Sequence, residues 1–128
     1  MLLKLLKQLM GQKQKSINLE TQAKLKSEWE TIAKLLKQET PSSIRQALIA
    51  ADRSLDTVLT DLSEFKTMGD RLKDTKRLFE ENMYNKIWKA HKLRNSIVHE
   101  AGFEPPHFIV KEAIEDLKKG LLSLKVAL

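Results

Sequence analysis

The residues best suited to chemistry lie between positions 86 and 100, which read KIWKAHKLRNSIVHE. Before Glu100 this stretch carries Lys86, Lys89, Lys92, Arg94 and two histidines, and no acid. His91, Asn95 and His99 are spaced four apart and share one face of a helix. Arg94 and Trp88 border that face, while Ala90, Leu93 and Ile97 fall on another side and can enter a core. A basic stripe with histidine and an aromatic edge suits a phosphodiester. Arginine grips a phosphate through two hydrogen bonds, which lysine does less well. Histidine titrates near neutrality and moves protons in either direction. Asparagine can orient a hydroxyl or a phosphate oxygen. Arg94, Asn95 and His99, with His91, Lys92, Lys89 and Trp88 beside them, are therefore the candidate residues for a phosphodiester-binding site.

Each of these residues also has a structural reading. Arg94 can form an internal ion pair, with Asp52 or Asp56 of an earlier helix as its partner. His99 near a helix C-terminus can serve only to complement the helix dipole. His91 can be a helix-surface residue, and the three lysines a solvated face. Trp29 and Trp88 can fill a core or an interface. His107 follows two prolines and is expected in an exposed loop or first turn. Asp52 and Asp56 share a face, but nothing near them in the sequence marks a buried cleft, so they are not read as a catalytic acid pair.

The elements that must position this segment follow from periodicity. Leu25, Trp29, Ile32 and Leu36 form a stripe at helical spacing within a helix over about 19–38. Thr40 and Pro41 break the chain and start a second helix, as an N-cap and a first helical residue. Its stripe is Ile44, Leu48, Ala51, Leu55, Leu59 and Leu62. Thr67 to Asp70 reads as a capping-box variant opening a short helix through Leu72. The register between Lys76 and Asn82 is open. The chemical segment occupies a helix over about 83–100, ended by Gly102. Pro105 and Pro106 introduce a last helix with Val110, Ile114, Leu117, Leu121 and Leu124 inward, interrupted by Gly120 at a cost of roughly 1 kcal/mol. No run alternates with the period of a strand. The expectation is an all-α, mostly antiparallel bundle of four to five helices.

Composition sets the outer bounds. With 128 residues the chain is one domain's worth, and it contains no cysteine. That excludes disulfides, thiolate metal sites and cysteine nucleophiles, and fits a reducing compartment such as the cytoplasm. No metal-ligand set stands out and no cofactor is expected. The net charge of +6 is uneven: Lys4, Lys7, Lys13 and Lys15 precede the first acid, leaving 19 basic and 17 acidic residues in the rest. Whole-chain charge therefore says little about nucleic acid. Residues 1–16 read as a short basic amphipathic helix, MLLKLLKQLM, followed by a polar linker, and 17–128 as the bundle domain. The apolar part of residues 1–10 is too short and too charged to span a membrane. It can dock on its own domain, contact a partner helix or lie on a membrane surface.

Arg94-Asn95-Ser96-Ile97-Val98-His99 resembles the motif of the HEPN family (higher-eukaryote and prokaryote nucleotide-binding domains). Its nuclease members carry an arginine, a polar residue and then a histidine. The order of elements is similar too: IRQALIAADRSLDTVL as the long core helix, a short TMGDRLKD element, HKLRNSIVHE at a helix end, and a closing helix after a Phe-Glu-Pro turn. The resemblance covers roughly 29–124 and leaves out the first ten residues. It implies a metal-independent endoribonuclease that leaves 2′,3′-cyclic phosphate and 5′-hydroxyl ends. In that scheme His99 is general base or acid, Arg94 stabilises the transition state, and Asn95 positions substrate or fixes the histidine. Five residues turn an ideal helix by roughly 500°, so Arg94 and His99 point about 140° apart. Either the helix distorts near its end or two copies contribute. The resemblance implies a homodimer with this helix near the two-fold axis. The other reading is a non-catalytic dimeric interaction or nucleotide- or RNA-binding module, tethered through residues 1–10.

Overall fold

A computed structural model describes residues 15–128, so the expected helix and most of the linker at the N-terminus lie outside the described residues. Among the described residues there are five α-helices and no strand: α1 (Leu19–Gln38), α2 (Pro41–Leu62), α3 (Met68–Asp74), α4 (Glu81–His99) and α5 (His107–Ser123). The molecule is an all-α helical bundle. Among the described residues, no helix is long and apolar enough to cross a membrane.

Local chemistry sets the boundaries. Asn18 caps α1 by accepting from the Glu20 amide at 2.8 Å. Glu39 ends that helix in the left-handed region, at φ 53°. Thr40 and Ser43 then form a reciprocal capping box, each side chain accepting from the other's amide at 3.0 Å, with Pro41 at the first helical position. Only Glu39 and Thr40 separate the two helices, so α1 and α2 run antiparallel. Leu25, Trp29 and Ile32 pack against α2, and the Trp29 indole donates to Ser54 Oγ at 3.0 Å.

α2 is the axis of the bundle. Ile44, Ala47, Leu48, Ala51, Leu55, Val58 and Leu59 are all buried along it, and α1, α4 and α5 pack around it. Arg45 of α2 pairs with Glu104 just before α5, and Lys111 of α5 with Glu39 just before α2. α5 therefore runs parallel to α2, and α4 antiparallel to both. α3 is capped by Thr67, and Arg71 fixes it to α2 by a two-pronged hydrogen bond to Asp56 at 2.9 and 3.1 Å. It continues to Asp74, two residues past the expected end. The stretch of open register becomes a 3₁₀ turn over Lys76–Leu78, and α4 starts at Glu81, two residues early.

Gly120 has a packing reason. A Cβ there would sit 2.7 Å from Ile87 Cδ1 and 3.1 Å from its Cγ1, and Ile87 is fully buried. The missing side chain lets α5 approach α4 closely, which outweighs the cost of glycine in a helix. Gly120→Val is expected to lower the unfolding free energy by about 1–3 kcal/mol, measured by urea denaturation. An unchanged midpoint would show that the two helices can separate freely.

Candidate functional site

α4 presents its apolar side to the core through Tyr84, Ile87, Ala90 and Ile97, with Leu93 partly buried beside them. Its next face turns toward the middle of α2, where Asp52 is 3% exposed. The His91 ring meets that carboxylate through Nδ1, at 3.0 and 3.2 Å from its two oxygens. A carboxylate only accepts, so Nδ1 carries the proton. Arg94 Nη1 donates to Asn95 Oδ1 at 3.1 Å, which turns the amide nitrogen of Asn95 toward His91 Nε2 at 3.5 Å. Arg94 Nε lies 3.8 Å from Asp52 Oδ2, buried and without a hydrogen-bond partner. Asp52, His91, Asn95 and Arg94 thus close a ring of polar side chains. The side chain of Arg94 keeps 31% of its surface open, against 12% for His91.

The ring sorts the expected residues. Arg94 and Asn95 are adjacent and share the carboxylate's neighbourhood. Asn95 contacts His91, not His99. Of the two acids considered for Arg94, Asp52 is the neighbour, while Asp56 is taken by Arg71. His91 is anchored from behind as well as lying on the helix. Asp52 is legible in the sequence as a possible partner of Arg94, but its burial and its contact with His91 are not. Its four-residue spacing from Leu48, also buried, was the available signal, but an acid on the edge of a core stripe reads as surface until its partner is known.

His99 stands apart. It is the last residue of α4, is exposed, and makes no hydrogen bond or ion pair among the described residues. The helix stays regular through it, with the Glu100 amide bonded to the Ser96 carbonyl. Within one chain, Arg94 and His99 are not drawn together. His107 opens α5 and is exposed, as expected.

Lys89, Lys92 and Trp88 meet on the other flank of α4, in an open concavity of about 680 Å³ completed by Asn85 and by Lys73 of α3. Lys92 Nζ lies 5.9 Å from the Trp88 ring centre, and the Trp88 and His91 rings meet edge to face at 6.0 Å. A second groove, about 420 Å³, runs between α4 and α5 past Leu93, Phe108, Ile109 and Asp116. Among the described residues no cluster of three histidines or carboxylates could hold a metal ion.

The chain matches no family model, no curated protein and no solved structure.

Removing Asp52 leaves the His91 N–H and the Arg94 Nε facing an empty buried space. Asp52→Ala is expected to lower the unfolding free energy by about 2–3 kcal/mol. A double-mutant cycle with His91→Ala should give a coupling of about 1 kcal/mol or more; strictly additive losses would show that the contact holds nothing.

Burial raises the pKa of Asp116, Lys86 pulls it down, Glu112 pushes it up again, and Lys119 and Lys89 lower it. The folded state therefore disfavours the ionised carboxyl. Its cost is absent below the unfolded value, 3.8, and develops as pH rises through the raised folded value. Asp116→Asn should thus stabilise slightly at neutral pH, and melting curves should show the gain vanish in acid. A gain that grew toward low pH would contradict the assignment.

Proposed function

We propose that this chain is an endoribonuclease of HEPN type, working as a homodimer in the cytoplasm. Its catalytic residues are Arg94 and His99, with Asn95 in support. The observation that carries the reading is the setting of Arg94: Asp52 and Asn95 brace its guanidinium from behind while nearly a third of the side chain faces solvent. A guanidinium held in this way can bind a phosphate and stabilise the charge that builds at phosphorus without reorganising.

The chemistry is an internal transesterification. One His99 imidazole removes the proton of the substrate's 2′-hydroxyl. The 2′-oxygen bonds to phosphorus as the bond from phosphorus to the 5′-oxygen breaks. An imidazolium, the second copy's His99, gives a proton to the departing 5′-oxygen. The products are a 2′,3′-cyclic phosphate and a 5′-hydroxyl.

The homodimer answers the divergence of Arg94 and His99 on a regular helix. It is also supported by apolar side chains at the His99 end of the bundle: Val98, Phe103 and Phe108 are 45%, 38% and 68% exposed. Two copies meeting there would cover these groups and bring two histidines to one cleft.

Purified protein in chelator should cut mixed single-stranded RNA to cyclic-phosphate ends. Arg94→Ala and His99→Ala, each checked for folding, should lose at least about 100-fold. Val98→Asp should shift the sedimenting species to monomer and take activity with it. RNA left intact under all conditions would remove the reading. Cleavage by His99→Ala at the normal rate would remove His99 from it.

A further inference from the structure

The two tryptophans are treated differently by the fold. Trp29 is buried, 7% exposed, and its indole N–H is satisfied by Ser54. Trp88 is half-buried, and its N–H donates to no protein group among the described residues. The indole rests between Gly69 of α3, where an added Cβ would lie 3.5 Å from the ring, and the edges of Tyr84 and His91. It is thus held by its neighbours yet only half-buried, and it lines the basic concavity with Lys92 Nζ 5.9 Å from the ring centre. Lys73 stands on one wall, Lys89 and Lys92 on the other, with Asn85 beside them and no acid in the lining.

We propose that this concavity is a stacking subsite for one unpaired base of single-stranded RNA, with Lys73, Lys89 and Lys92 holding the phosphates on either side of it. The proposal rests on the reading of α4 as an RNA-cleaving element and adds where the strand runs. A rigid aromatic face with flexible cations around it is the arrangement that accepts any base and requires it to be unstacked. A duplex keeps its bases paired and cannot offer one to the ring. Trp88 lies eleven residues before His99, roughly 16 Å along the helix axis. The stacked base therefore belongs to a nucleotide removed from the one that is cut. Asn85 offers both a donor and an acceptor to the edge of that base.

The test separates binding from cleavage. The probe is an unstructured 12-mer of 2′-O-methyl RNA, which lacks the attacking hydroxyl and cannot be cut. Added to the full-length protein, it should quench tryptophan fluorescence, because Trp29 is shielded and Trp88 is not. The same strand in a duplex should not. Trp88→Ala should weaken binding of the labelled strand, followed by anisotropy, about tenfold. Lys73→Glu, on an exposed side chain, should weaken it without disturbing the fold and make it less sensitive to salt. With cleavable RNA, the same two variants should raise KM on long strands and leave kcat unchanged.

No quenching, or equal quenching by duplex and single strand, would overturn the subsite. So would unchanged binding by Lys73→Glu together with Trp88→Ala. Cleavage that persists in that case leaves the nuclease standing without this subsite. Quenching with no cleavage of ordinary RNA leaves the subsite and removes the nuclease.

Discussion

A single buried carboxylate organises the polar half of this bundle. Asp52 sits in the middle of the most buried helix, where an unpaired charge would cost several kcal/mol. Its partners come from a helix distant in sequence, and they come as a set: the ring of His91 at 3.0 Å and the guanidinium of Arg94 at 3.8 Å. The carboxylate fixes the rotation of α4 about its own axis. A turn of a few tens of degrees would break both contacts and expose Ala90 and Ile97. The apolar stripe and the polar ring therefore specify the same orientation independently. Asn95 couples the positions of Arg94 and His91, since its amide faces the guanidinium with oxygen and the imidazole with nitrogen.

This coupling gives the surface of α4 a division of labour. His91 faces inward and holds; Arg94 faces partly outward and can grip. His99, beyond the ring, has no side-chain hydrogen bond or ion pair among the described residues. In the proposed reaction such freedom suits a proton carrier, and bracing suits a group that opposes a fixed charge. The concavity around Trp88 extends the same surface toward the start of α4, so that one helix carries aromatic, cationic and imidazole groups along its length.

Much of the architecture could be read from the sequence. The leucine and isoleucine stripes located every long helix, because burial on one face imposes the 3.6-residue period directly. Thr40 with Pro41, and Thr67, marked two starts correctly, since capping is a local hydrogen bond between near neighbours. The span from Lys76 to Asn82 was illegible: its 3₁₀ turn depends on Phe79 entering the core, a long-range event. Within the candidate site, Arg94 and Asn95 stood out through charge and spacing. Asp52 stood out only as a possible partner of Arg94, because the sequence does not show the fold that brings it to His91, thirty-nine residues on. Gly120 was read as a defect, and only the proximity of Ile87 reveals it as a contact.

The parallel course of α2 and α5 has a geometric consequence. It gathers the α1–α2 link, the end of α4 and the start of α5 at one pole of the bundle, as the Arg45–Glu104 and Lys111–Glu39 pairs attest. Lys15, bonded to Glu64, lies at the opposite pole, where α2 ends and α5 also finishes. Both ends of the described chain thus emerge on the side away from His99. A support, a surface or a fused protein attached there would hold the molecule by its base and leave the histidine pole facing outward.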